Sequence, residues 1–107
     1  MIRLTILYNL QSNVDEEKFL EWRLGVHQQE NMASPGVLRS DFATVQANAL
    51  SDAPPVYRFM TTADWPDMES FRQAFYDPDM QASLQESLKM LKDPLFLVSE
   101  ILVQESN

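Results

Sequence analysis

Both ends of the chain read as β-strands with apolar residues on both faces. Ile2-Arg3-Leu4-Thr5-Ile6-Leu7-Tyr8 opens it, and Leu95-Phe96-Leu97-Val98-Ser99-Glu100-Ile101-Leu102-Val103 closes it. A strand with one wet face alternates apolar and polar residues. These barely alternate, so each needs cover on both sides. Only two helical segments are readable between them, and two helices cover one face of a small sheet. The simplest cover for the other face is a second copy of the chain. The expectation is a homodimer with a ligand cavity between two sheets.

The remaining bounds are broad. A length of 107 residues allows a single domain, 1–107, with a small core. The net charge of -8, from 16 acidic and 8 basic residues, disfavours nucleic acid and anionic membrane as partners. The chain has no cysteine, hence no disulfide and no thiol nucleophile, which suits a cytoplasmic setting. The opening apolar run stops at Asn9, too short for a signal peptide or a membrane span.

The segment order follows from punctuation and periodicity. Asn13 and Glu16 have capping-box spacing, so a helix is expected from about Val14 to about Gln29. Phe19, Trp22, Arg23 and Val26 form its stripe, with Leu20, Leu24 and His27 beside it. Ser34-Pro35-Gly36 is a turn. A strand from Val37 to about Ala47, a polar loop from Asn48 to Pro55, and a strand from Val56 to about Ala63 follow. A helix starting at Asp64-Trp65-Pro66 breaks at Asp77-Pro78-Asp79 and resumes to about Lys92. Asp93-Pro94 then stops it before the last strand. The order β-α-β-β-α-β predicts an α+β, ferredoxin-like fold: a four-stranded antiparallel sheet with its helices on one face.

Few residues carry chemistry. His27 is the only histidine. It is either a general acid/base or a helix-end residue bonded to a backbone carbonyl. Glu30 shares its face, but with no other histidine and no cysteine a metal site lacks ligands, so none is expected. Strand parity puts Arg3 and Thr5 on the face away from the helices, with Arg58 and Met60 together on the third strand and Glu100 on the last. Arg3, Arg58 and Glu100 either anchor a mostly apolar ligand or form an intersubunit salt bridge. Tyr8 and Trp22 are candidates for an aromatic pocket wall or plain core, and Arg23 turns either inward or outward. Gly25 and Gly36 are the only glycines, which excludes a Gly-rich phosphate loop. No serine elbow and no haem or flavin signature is present, so no cofactor is expected.

The opening MIRLTILY, the aromatic-to-histidine spacing from Trp22 to His27, and the FRQAFYDPD stretch of Phe71 to Asp79 resemble the EthD-like group of the dimeric α+β barrel superfamily. The length, the acidic balance, the Trp22-Arg23 pair and Gln29 in place of the proline usual near the histidine are similar to HapK/RedY-type proteins of prodiginine pigment biosynthesis. The resemblance implies an accessory protein or cofactor-free enzyme of secondary metabolism. It would take a small apolar or aromatic intermediate, with His27 as its acid/base, and a pathway enzyme is a conceivable partner. Two alternatives stand beside it: a non-catalytic ligand carrier or docking module, and a cofactor-free monooxygenase of quinol-like substrates. Fold analogy alone does not choose among them.

Overall fold

The computed structural model describes all residues, Met1–Asn107. Its elements are β1 (Ile2–Leu10), α1 (Glu16–Trp22), a π-helical turn (Arg23–His27), α2 (Gln28–Met32), β2 (Arg39–Thr44), β3 (Phe59–Trp65), α3 (Met68–Phe75), α4 (Pro78–Leu88) and β4 (Leu91–Glu100). The strands form one antiparallel sheet in the order β2-β3-β1-β4, the arrangement expected of a ferredoxin-like chain.

Register sorts the side chains. Ile2, Leu4, Ile6 and Tyr8 face Trp65, Ala63, Thr61 and Phe59 across β1–β3, and this set packs under the helices. Arg3, Thr5 and Leu7 oppose Asp64, Thr62 and Met60 on the open face. The core under the helices comes in two parts. One holds Ile2, Leu4, Trp65, Phe71 and Ala74; the other holds Tyr8, Phe19, Phe59 and Leu91. Ile6 packs against both.

Several boundaries differ from the sequence expectation, each for a local reason. Asp15, rather than Asn13, caps α1: its side chain accepts the backbone N–H of Lys18. β3 continues through Trp65, and Asp67 caps α3 by accepting from Ser70 N–H, a bond that also lowers the Asp67 pKa. Asp77 caps α4 with Pro78 in its first turn, as its sequence suggests. Asp93-Pro94 does not break the chain before β4. It lies inside that strand as a bulge, where two β1 steps (Leu7 to Asn9) span three on β4 (Leu95 to Lys92) and Asp93 has φ 51°. β4 is an edge strand, so Pro94 needs no inward donor.

The first helix departs furthest. Its middle is a π turn, whose hydrogen bonds close five residues back and put more residues in each turn. The extra residue shifts the phase of everything after it. Val26, expected on the buried stripe, is 57% exposed, and Leu24 is 64% exposed, while His27 turns inward.

Candidate functional site

The π turn aligns residues five apart, and two such pairs build one wall of a cavity. Trp22 and His27 stack with ring centroids 4.3 Å apart and planes 24° from parallel. Arg23 donates from Nη1 to Gln28 Oε1 at 2.8 Å. On a regular α-helix these partners would diverge around the axis. Behind them lies a cavity of about 320 Å³ between the helices and the sheet, bounded by 21 residues of which 13 are hydrophobic. Leu4, Ile6 and Tyr8 of β1 form its floor, with Thr61 and Ala63 of β3. Met80, Ser83, Leu84 and Ser87 of α4 close the far side. The cavity sits between the two parts of the core, and its size falls at the small end of small-molecule pockets, about 300–1,000 Å³.

Three polar groups, Arg23, Thr61 and Tyr8, are bonded into one cluster. Arg23 is 2% exposed. Its Nη2 donates to Thr61 Oγ1 at 3.3 Å, the Thr61 hydroxyl lies 3.2 Å from the Tyr8 hydroxyl, and the guanidinium carbon stands 4.4 Å over the Phe42 ring. Burial pulls its pKa below the ordinary arginine value, partly offset by Tyr8. No carboxylate pairs with it; the ion pairs of the chain join acids to Arg3, Arg39, Arg58 and Lys89, and Glu30 lies beside His27. An unpaired buried cation costs several kcal/mol, relieved here only by hydroxyl, amide and ring contacts.

His27 sits at the mouth with its side chain 24% exposed. Burial, and then the charge on Arg23, lower its pKa, while Glu30 works in the opposite direction. The His27 Nδ1 to Glu30 Oε2 distance is 3.4 Å, but the alignment falls short of a hydrogen bond, and Nδ1 has no partner within the chain. The lowered pKa favours the neutral imidazole, and Nδ1 is unengaged.

The sequence candidates divide cleanly. Tyr8, Trp22, Arg23 and His27 meet around this cavity. Arg3, Thr5, Arg58, Met60 and Glu100 do not line it. Arg3 holds Asp64 through two bonds, Nε to Oδ1 at 2.8 Å and Nη2 to Oδ2 at 3.0 Å, and this contact raises the Arg3 pKa. Arg58 reaches Glu16 at 3.1 Å. Glu100 pairs with Ile2 in register and so belongs to the helix side of the sheet, opposite the Arg3 face. The expected meeting of Arg3, Arg58 and Glu100 is corrected: sheet parity separates the first from the last, and nearer acids take both arginines. The cavity within a single chain lies beneath the helices, on the other side of the sheet from the expected intersubunit space.

Sequence reasoning missed Thr61, Gln28 and the α4 serines. Thr61 left a signal, a lone hydroxyl in the alternation Phe59, Thr61, Ala63 on a face otherwise apolar. The α4 serines left none, because a serine on a helix usually faces solvent.

A family model, REDY-like protein HapK, matches residues 2–102. The chain belongs to the HapK family of REDY-like proteins. Similar solved structures cover nearly all of this HapK-family chain. HapK from Hahella chejuensis is 16% identical with a TM-score of 0.73, covering 100% of this chain and 98% of that one. An EthD family protein from Bacillus halodurans is 21% identical with a TM-score of 0.71, covering 95% and 99%. SnoaB from Streptomyces nogalater, a cofactor-independent oxygenase, is 13% identical with a TM-score of 0.72, covering 96% and 94%. At these identities the likeness establishes the shared fold. No curated protein matches the chain significantly. No helix is long and apolar enough to cross a membrane.

Proposed function

We propose that this HapK-family protein binds a small, largely apolar intermediate of secondary metabolism, of prodigiosin type, in the cavity beneath its helices. It acts there as an accessory protein or cofactor-free enzyme in the cytoplasm. The observation that carries the reading is the cavity itself: an apolar chamber lined by the bonded group Arg23, Thr61 and Tyr8, with His27 at its mouth. Family membership supports the biosynthetic role. In its catalytic form, His27 takes a proton from the ligand as general base. An imidazole that lines the cavity, with its pKa lowered in favour of the neutral form, suits that task, and Trp22 stacks on its ring.

The working unit in this reading is a homodimer. The open face of the sheet carries Leu7, Met60, Leu95 and Leu97, and the last two are 40% and 46% exposed in a single chain. A second copy covers them. Arg3, Thr5 and Met60 then belong to the interface and Arg58 to its margin, rather than to the ligand site.

Native mass spectrometry of protein purified from its own source tests both statements. The expected spectrum shows a dimer with a retained small molecule. A dimer that stays empty, and that binds none of the pathway intermediates offered to it, overturns the ligand reading. A monomer overturns the assembly. Replacing His27 with Ala separates the roles within the site: loss of turnover with ligand retained supports the base, and unchanged turnover removes it.

A further inference from the structure

Arg23 points to the chemistry of the ligand. A guanidinium carries five N–H donors in a planar fork and cannot shed its charge in ordinary conditions. Within the chain, Gln28 takes one N–H on Nη1 and Thr61 takes one on Nη2. The other N–H donors have no acid partner within the chain, only the Tyr8 hydroxyl nearby, and stand beside an apolar cavity that Arg23 itself lines. Buried charges in proteins are normally paired, and this one is 2% exposed without an acid. The remaining face of such a fork is complementary to a carboxylate, which accepts two parallel N–H bonds.

The scaffold holds the arginine ready for this. The π turn locks it against Gln28, whose Nε2 in turn donates to the Ser40 carbonyl at 3.2 Å. Phe42 supports the guanidinium plane from one side, 4.4 Å away. None of these contacts neutralises it. The net charge of -8 opposes an incoming anion at long range, and Glu30 stands at the mouth. Glu30 is 60% exposed and sits beside His27, so water screens it, whereas the buried cation acts at short range in a poorly polarisable setting.

We propose that the cavity selects a ligand with an apolar body and one carboxylate, and that Arg23 is the residue that binds the carboxylate. This rests on the cavity being the ligand site, as argued above, and adds the chemical class. Arg23 is a binding residue in this scheme, and Thr61 and Gln28 position it.

The test is a calorimetric titration of the intact protein with three probes of one shape: 2-naphthoate, its neutral amide 2-naphthamide, and cationic 2-naphthylmethylammonium. The expected order is naphthoate at least tenfold tighter than naphthamide, with the ammonium weakest. In Arg23→Met the preference for acid over amide disappears while naphthamide still binds. In Arg23→Lys, which keeps the charge but loses the fork, part of the preference survives. Naphthamide binding as tightly as naphthoate to the unaltered protein overturns the carboxylate assignment and leaves the cavity reading standing. Failure of all three probes overturns both. The comparison on the unaltered protein decides the matter even where Arg23→Met does not fold.

Discussion

The charge on Arg23 acts on His27, and its effect has a sign. Burial and the neighbouring guanidinium hold the His27 pKa below its ordinary value of 6.5. The folded protein therefore binds fewer protons at this position than the unfolded chain does. The stability that follows is fully present above pH 6.5 and is lost as pH falls toward the lowered folded value. Urea denaturation from pH 7 down to pH 5 should show this slope, and His27→Gln should flatten it. An unchanged slope in that variant would assign the pH dependence to the carboxylates instead. At this scale the sequence was half legible. A lone histidine and a Trp-Arg pair, types scarce in the chain, are residues that the structure brings to the cavity wall. Arg3 and Glu100 lie on opposite faces of the sheet and away from the cavity; strand parity within one segment does not say how the segments register against each other.

The π turn is the element that makes the site. Strict 3.6-residue periodicity puts Val26 on the stripe and His27 at its edge; the turn reverses them. Nothing in a single sequence announces a one-residue phase shift, so the helix was legible and the direction of its second half was not. The strands were easier. Their order and the helix-facing set of β1 followed from apolar runs and turn residues, whereas the bulge at Asp93 imitated a stop. Gly25 lies in the middle of the π turn, and a Cβ added there meets nothing within 4 Å. The helical backbone accepts alanine, which restricts the unfolded chain. Gly25→Ala should therefore stabilise the protein by about 0.5–1 kcal/mol, read as a higher urea midpoint with an unchanged m-value. Destabilisation would mean that the turn needs glycine's freedom to form.

At the level of the whole molecule, the apolar character of both ends of the chain remains the strongest single constraint. β1 lies inside the sheet with helices above it, and β4 presents Leu95 and Leu97 on the uncovered side. Leu97→Glu places a charge at the centre of the proposed dimer contact. It should convert a dimer to a monomer in size-exclusion chromatography with light scattering, without loss of the helical signal. A dimer that persists would move the interface elsewhere. The division of the core has a different consequence. The two hydrophobic clusters share Ile6 as a packed neighbour, and residues of both line the chamber. A ligand lodged there supplies the missing contacts between them and so acts as a piece of the interior. Occupancy should then raise cooperativity: hydrogen exchange is expected to protect the two parts of the core more evenly in the loaded protein than in the empty one.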